Sequence, residues 1–338
     1  MKTQIFSTAE IDQAASALAK GELVAFPTET VYGLGADALN EAAVKKVYAA
    51  KGRPSDNPLI VHVADIETVK RLVEPLSEGA QQLMATFWPG SLTMIFNLKP
   101  NVLSKTVTGG LTTAAFRFPA NETTLALIKT FGHPIVGPSA NTSGKPSPTT
   151  AQHVYHDLHG KIAGILDDGA TKVGVESTVL DMSTSQPAIL RPGAVTAAQI
   201  EAVIHTPVAT EVHQVGIKET PKAPGMKYKH YAPAAQVEIV NDEDWSAALK
   251  WAKKQSSKVG VMATTGRLTD LTLPSNVEVF SLGKDVTSAS HLLFAGLRHF
   301  DDEPTIHYIL AEGFTPKNLG LAYMNRLKKS AGNVFFEP

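Results

Sequence analysis

Hydrophobic residues alternate or recur at helical spacing along most of the chain, which predicts a regular mixture of strands and helices. In SLTMIFNLK, Leu92, Met94, Phe96 and Leu98 alternate with Thr93, Ile95 and Asn97, so this segment is predicted to be a strand with one buried face. The apolar residues before it share one helical face, and Pro89-Gly90 ends that helix: Leu76, Ala80, Leu83, Met84 and Phe87.

The hydrophobic periodicity fails between Thr206 and Ala235, and this gap predicts two domains. Four prolines fall within it, so residues 206–235 are predicted to be a linker between a first domain, 1–205, and a second, 236–338. A chain of 338 residues is also long for one hydrophobic core. Beyond the gap strands and helices alternate, which favours a small open parallel sheet.

Composition and charge exclude several classes of protein. A hydrophobic fraction of 43%, a mean hydropathy of −0.03 and no long apolar run are typical of a globular protein that does not span a membrane. The first residues lack the apolar block of a signal peptide, so a cytoplasmic location is expected. Zero cysteines exclude disulfides and thiolate chemistry. A net charge of −1 gives no global attraction to nucleic acid, so any RNA contact requires a local patch.

The strongest candidate chemistry lies in KGRPSDNPLIVH, Lys51 to His62, considered together with PTETVYGLG, Pro27 to Gly35. Lys51 and Arg53 stand where a helix gives way to a turn, and two fixed cations beside loose backbone suit a polyphosphate. The same cations could simply stabilise the helix dipole. Arg117, between two phenylalanines in TAAFRFP, requires an anion, which is either a protein carboxylate or a ligand.

Other candidate residues leave their alternatives open. Ser139, Asn141 and Ser143 in PSANTSG are either turn formers or members of a ligand loop at the end of a strand. Ser177 and Thr178 in GVESTV have no obvious base beside them in the sequence, which argues against a nucleophilic serine. No P-loop, dinucleotide or metal-binding motif is present, and the spacing of His153, His156 and His159 fits a solvated helix face better than a metal site. These residues alone predict an anion-binding or nucleotide-binding α/β enzyme.

Short segments spread over nearly the whole chain carry a family resemblance: PTETVYGLG, KGRPSDNPLIVH, WPGSLT, the Arg117 strand, GPSANTSGKPSPT, GVESTV, LRPG and APGMKYKHYAP. In this order they resemble the two-domain threonylcarbamoyl-AMP synthases. The resemblance implies a YrdC-like first domain, a twisted mixed sheet with a concave active-site face, and a smaller Rossmann-like second domain with a parallel sheet. Residues 206–235 would then be both linker and active-site lid.

The resemblance also implies a reaction and its participants. L-threonine, bicarbonate or CO2, and ATP would give L-threonylcarbamoyl-AMP and pyrophosphate, with Mg2+ expected alongside ATP but no protein metal ligands identifiable. The product would pass to a tRNA threonylcarbamoyltransferase that modifies adenosine 37, and a weak contact with tRNA is left open.

The family's site residues fall on specific positions of this chain. Threonine would be held by Thr28, His62, Arg117 and Ser177. Lys51 and Arg53 would be the catalytic cations, which stabilise the departing pyrophosphate. ATP would be held by Lys51, Arg53, Asn57, Ser139, Asn141, Ser147, Arg191 and Tyr231.

Two rival functions follow from the same sequence. The first rival is carbamoyl-adenylate synthesis from carbamoyl phosphate. The hydrogenase-maturation proteins that carry it out resemble this chain only over the first domain. They also contain cysteine-rich zinc modules, which a chain without cysteine cannot form. A non-catalytic RNA-binding protein would use the concave face, but the balanced charge argues against strong autonomous binding.

Overall fold

The computed structural model describes residues 2–210, 221–223, 231–301 and 303–338. They form two compact units. The first contains the described residues from 2–143 and 148–223, and the second contains 144–147 and those from 231 onward. The short segment 144–147 therefore belongs to the second unit, although it lies far from that unit in sequence. The predicted domain boundaries stay a prediction, and most of the predicted lid, 211–220 and 224–230, lies outside the described residues.

The first unit alternates short strands with helices, after an opening 3-10 turn at Thr8–Glu10. Its strands are β1 (Gln4–Phe6), β2 (Val24–Phe26), β3 (Gly33–Asp37), β4 (Ile60–His62), β5 (Leu92–Asn97), β6 (Thr113–Arg117), β7 (Ile135–Val136), β8 (Gly164–Leu166), β9 (Thr178–Asp181) and β10 (Ala188–Arg191). Its helices are α1 (Ile11–Ala19), α2 (Glu41–Lys51), α3 (Ile66–Leu72), α4 (Glu78–Phe87), α5 (Lys105–Thr108), α6 (Glu122–Phe131), α7 (Ala151–Leu158) and α8 (Ala197–Ile204).

Among the described residues, the strands of the first unit make one ten-stranded sheet in the order β1-β8-β2-β3-β7-β4-β6-β5-β9-β10. The sheet is mixed: β4 and β6 are parallel, as are β5 and β9, whereas β5 and β6 are antiparallel. This confirms the predicted mixed α/β fold. Four neighbouring strands in the half of the sheet that ends at β10, β4-β6-β5-β9, carry the candidate site.

The second unit has a smaller sheet, which confirms the predicted parallel arrangement. Its strands are β11 (Gln236–Val240), β12 (Lys258–Ala263), β13 (Val277–Ser281) and β14 (Ile306–Glu312). Its helices are α9 (Trp245–Lys253), α10 (Thr265–Asp270), α11 (Val286–Asp301) and α12 (Leu319–Ala331). The strand order is β11-β14-β12-β13, and every neighbouring pair is parallel.

Strand β5 differs from its sequence pattern, because both of its faces are buried. Leu92, Met94 and Phe96 join the main core as predicted, but Thr93 and Ile95 on the other face are also completely inaccessible. Ile95 packs in a separate apolar cluster on that second face. Within the described ranges, no helix is both long and apolar enough to span a membrane.

Candidate active site

The register of three neighbouring strands aligns the centre of the candidate site. His62 at the end of β4 pairs with Arg117 at the end of β6, and Arg117 pairs with Thr93 on β5. The Oγ1 atom of Thr93 lies 2.7 Å from Oγ of Ser177, which precedes β9. Side chains of directly paired residues point to the same face of a sheet. The structure therefore brings His62, Arg117 and Ser177, three of the predicted threonine-binding residues, together on one face.

Arg117 is a buried cation, and its side chain contacts protein groups on several sides. One terminal nitrogen, Nη1, donates to Oγ1 of Thr30 at 2.8 Å, and Nε donates to the carbonyl of Gly90 at 3.3 Å. The other, Nη2, lies 2.7 Å from a carboxylate oxygen of Glu29, with both side chains less than one-tenth exposed. That ion pair is close but not aligned, because Nη2 makes no hydrogen bond of normal geometry among the described residues. The sequence left open whether the anion of Arg117 is protein or ligand; in this structure Glu29 neutralises the charge but leaves hydrogen-bonding capacity at Nη2.

The PTET segment supplies Glu29 and Thr30, two site residues that the sequence analysis did not select. Glu29 also accepts from Oγ of Ser91 at 2.9 Å and from the backbone N–H of Ala120 at 3.2 Å, so its carboxylate is held firmly beside Arg117. The predicted residue Thr28 has a more local contact: its hydroxyl donates to the carbonyl of Val31 at 2.7 Å and lies 2.8 Å from that of Thr30. Thr28 stabilises the turn that aims Thr30 at Arg117. Both residues lie in the motif PTETVYGLG, and this was the only sequence feature that pointed to them.

His62 is completely enclosed. Its ring meets Phe26 edge to face at 5.2 Å between centroids, and its Nδ1 atom makes no hydrogen bond among the described residues. Burial lowers the pKa of His62 well below its ordinary value, the nearby Arg117 lowers it further, and the backbone of Ile60 opposes both effects. The imidazole is therefore neutral at pH 7. Gly137 makes room for it, since a Cβ there would lie 2.6 Å from Nδ1.

Lys51 fixes the loop that contains Ser139 and Asn141. It is the last residue of α2 and only 2% exposed. Its ammonium donates to the carbonyls of Ser139 and Asn141 at 2.5 and 2.6 Å. Gly52, with a φ of 62°, then turns the chain out of the helix toward Arg53. Three predicted ATP-binding residues are thus brought together, and Lys51 connects them.

Arg53 and Asn57 form the next turn of the same segment. The guanidinium of Arg53 donates through Nη2 to the carbonyls of Asn57 and Pro58, at 3.3 and 3.2 Å. The side-chain oxygen Oδ1 of Asn57 is buried and accepts no hydrogen bond from any described residue. A buried acceptor without a donor is uncommon in folded proteins, so this amide is poised for a ligand.

Arg191, another predicted ATP-binding residue, forms hydrogen bonds with Ser177, one of the predicted threonine-binding residues. It is 5% exposed and donates to the carbonyl and to the hydroxyl of Ser177, at 3.1 and 3.2 Å. The chain after it passes very close to β9, because a Cβ on Gly193 would lie 2.2 Å from the backbone nitrogen of Thr178. Only glycine permits this approach, which accounts for the RPG sequence.

The described piece of the linker, residues 221–223, lies on the same face of the sheet as the site. Ala223 is inaccessible and packs against Ile60, Ile95, Ala115 and Val179. Each of these four lies two positions along the chain from a site residue, and positions two apart in a strand share a face. Lys222 forms an ion pair with Asp181 at 2.9 Å. Residues 222 and 223 thus cover part of the site face within the first unit.

Two predicted ATP-binding residues, Ser147 and Tyr231, belong to the second unit. Both are buried there, Ser147 completely and Tyr231 to 4% exposure. Tyr231 has a φ of 68°, a left-handed backbone conformation that is uncommon for a residue with a side chain.

Metal ligands are not gathered anywhere in the described ranges, which contain no group of three or more His, Asp or Glu side chains able to hold an ion. Of the helix α7 histidines, His153 instead has Nδ1 3.3 Å from the hydroxyl of Thr149.

A cleft of about 370 Å³ reaches the site from its edge, lined in part by Thr28, Glu29, Asn121 and Lys172. Glu29 therefore both pairs with Arg117 and lines this cleft. A buried arginine and a neutral histidine on one sheet face, together with a loop held by a lysine, are typical of an α/β enzyme that binds an anionic substrate.

Comparisons with known proteins identify the family. Residues 16–193 match the Sua5/YciO/YrdC family, described as telomere recombination, and residues 195–332 match the threonylcarbamoyl-AMP synthase C-terminal domain. The chain belongs to this two-domain family.

Similar proteins match over nearly full length. The threonylcarbamoyl-AMP synthase of Bacillus subtilis is 49% identical, with 96% of this chain and 93% of that protein covered. The one from Pyrococcus abyssi is 47% identical, with 94% and 93% covered. The crystal structure of P. abyssi Sua5 complexed with L-threonine superimposes with a TM-score of 0.91 at 44% identity and covers 99% of this chain and all of that one.

Proposed function

We propose that this protein is a threonylcarbamoyl-AMP synthase, which converts L-threonine, bicarbonate and ATP into L-threonylcarbamoyl-AMP and pyrophosphate. The observation that carries the proposal is a set of buried polar atoms that make no hydrogen bond with the described residues: Nη2 of Arg117, Nδ1 of His62 and Oδ1 of Asn57. Such atoms are costly unless something satisfies them. All three belong to residues predicted from the sequence to hold the substrates, so threonine and ATP are the natural partners.

The threonine half of the site is built around Arg117. A guanidinium binds a carboxylate best through two parallel N–H groups, and the unaligned Nη2 leaves such capacity beside Glu29. The hydroxyl of Thr30 accepts from Arg117, and the hydroxyl of Ser177 lies 2.7 Å from that of Thr93, the strand partner of Arg117. These two hydroxyls suit the hydroxyl and the amine of the amino acid. Thr28 contributes by holding Thr30 in place.

Carboxylation of the threonine amine is the first step. The neutral amine forms a bond to the carbon of bicarbonate, and a water molecule leaves with one amine proton, which gives the carbamate. An ammonium has no lone pair for this step. His62 is only 2% exposed, and burial of this kind disfavours a charged group, so the site favours the free amine over the ammonium.

Adenylation is the second step. A carbamate oxygen attacks the α-phosphorus of ATP, and the bond to the pyrophosphate oxygen breaks. Arg53 stabilises the charge that develops on the leaving group. Lys51 contributes its positive charge and holds the carbonyls of Ser139 and Asn141, so that their N–H and side-chain groups are fixed before ATP binds.

Mg2+ fits this site as an ion carried by the nucleotide. The described residues offer no cluster of carboxylates for the ion. The amide oxygen of Asn57, however, is buried, accepts no hydrogen bond from them, and is an oxygen ligand of the type that Mg2+ binds. When bound, the ion would neutralise phosphate charge.

Water must be kept from the carbamate and the mixed anhydride. Ala223 and Lys222 already place part of the linker on the site face, which supports a lid function for residues 206–235. The product would then be consumed by a separate enzyme that transfers the threonylcarbamoyl group to adenosine 37 of tRNA in the cytoplasm.

The test is pyrophosphate release from ATP and Mg2+, with threonine and bicarbonate each present or omitted. We expect release only when both are present, and strong loss in Arg53→Ala. Release without threonine, release with carbamoyl phosphate in place of bicarbonate, or wild-type rates in Arg53→Ala would refute the proposal.

A further inference from the structure

Helix α11 of the second unit presents three functional groups on one face. Phe294, Arg298 and Asp301 are spaced four and three residues apart, and such positions are neighbours on a helix surface. Each of them contacts residues 144–147, residues 231–234, or both. Those two pieces of chain lie far apart in sequence but in the same unit.

The Asp301 carboxylate joins the two pieces directly. Its Oδ2 atom lies 2.7 Å from the ammonium of Lys145, and its Oδ1 atom accepts the backbone N–H of Ala234 at 2.5 Å. The Asp301 side chain is only 10% exposed, whereas that of Lys145 is 39% exposed, so the carboxylate is held at the edge of the interior by a charge-assisted contact.

Backbone contacts complete the connection. Arg298, which is 6% exposed, donates to the carbonyl of Pro146 at 2.6 Å, immediately before Ser147. The N–H of Ala232, immediately after Tyr231, donates to the carbonyl of Gly144 at 2.9 Å. Both predicted ATP-binding residues of this unit are thus held through their chain neighbours.

Phe294 acts on Tyr231 itself. The two rings pack with centroids 5.2 Å apart and planes tilted by 35°. The left-handed backbone of Tyr231 persists only because its surroundings hold it, and residues held in this way cluster at functional sites.

We propose that this face of α11 is a positioning surface for ATP binding: it holds Ser147 and Tyr231 in the conformation that receives the nucleotide. The inference rests on the proposed function only in taking those two residues as nucleotide contacts. It gives the second unit a specific task, in which Asp301 is a positioning residue that need not touch the substrate.

The central variant is Asp301→Asn, which keeps the shape but places an amide next to the ammonium of Lys145. We expect ATP binding, measured by equilibrium dialysis without threonine, to weaken on the order of tenfold, as for loss of one charge-assisted contact. KM for ATP should rise in parallel, while KM for threonine stays unchanged. The control is Asp242→Asn, which makes the same substitution at an exposed carboxylate of this unit that pairs with Arg267.

A charge exchange separates positioning from general damage. Lys145→Asp alone should weaken ATP binding, and Lys145→Asp combined with Asp301→Lys should recover only the share that the ion pair contributes, because a lysine cannot accept the N–H of Ala234. Thermal midpoints are measured for each variant. ATP affinity equal to wild type in Asp301→Asn, or equal rises in both KM values, would overturn the inference. Because the dialysis needs no turnover, it decides this point even if the pyrophosphate assay refutes the proposed reaction.

Discussion

The buried pair of Glu29 and Arg117 makes a quantitative prediction about stability. The two side chains are 8% and 5% exposed and their charged atoms are 2.7 Å apart. Glu29→Gln keeps the size of the side chain but removes its charge, so Arg117 is left buried and uncompensated. Breaking one side of a buried ion pair costs about 3–5 kcal/mol of unfolding free energy.

The double variant should cost far less than the sum of its parts. Arg117→Met leaves Glu29 as the uncompensated charge and also removes the donors to Thr30 and Gly90, so it should cost at least as much as Glu29→Gln. With both substitutions no lone charge remains in the interior. We therefore expect a coupling energy of about 3 kcal/mol in the double-mutant cycle.

Urea denaturation followed by tryptophan fluorescence measures this coupling. Trp88 reports on the first unit, and replacing Trp245 and Trp251 by phenylalanine in all variants removes the signal of the second. An exposed pair of the same unit, Lys70 and Glu67, is the control and should couple by less than about 0.5 kcal/mol. Strict additivity of the Glu29 and Arg117 substitutions would refute the argument that burial makes them interdependent.

Three further predictions follow from the site. Lys51→Ala and Arg53→Ala should each reduce pyrophosphate release by about 10²–10³-fold, since each removes an electrostatic donor, whereas the exposed Lys45→Ala should not; retention of activity in either would contradict the assigned roles. Gly137→Ala would place a Cβ 2.5 Å from the Phe26 ring and 2.6 Å from His62, so we expect a loss of about 1–3 kcal/mol in urea unfolding and a higher KM for threonine; an unchanged KM would show that His62 does not contact the substrate. Because folding lowers the pKa of His62, the unfolded chain binds a proton that the folded chain does not. The contribution of His62 to the unfolding free energy should be constant above about pH 7 and should fall below about pH 6.5 by up to about 1.4 kcal/mol per pH unit. Denaturation at pH 7.5 and 5.5 would detect this slope, and His62→Gln should remove it.

The sequence by itself determined the local structure around the candidate site residues. The period-two pattern placed β5, and the parallel sheet of the second unit followed from its alternating elements. Asn40 caps α2 and Gly52 ends it, so Lys51 and Arg53 fall where the pattern predicted. Caps, turns and hydrophobic periods act over a few residues, which is why one sequence is enough to predict them.

The tertiary structure decided which groups meet. The burial of Thr93 could not be predicted, because it depends on whether the second face of the sheet is covered. The partner of Arg117 was open between protein and ligand until the fold placed Glu29 and Thr30 beside it, from a loop more than eighty residues away. Ser147 likewise lies within the first family match, residues 16–193, but packs with the second unit. Such pairings depend on strand register and long-range packing, and neither is specified by the residues adjacent in the chain.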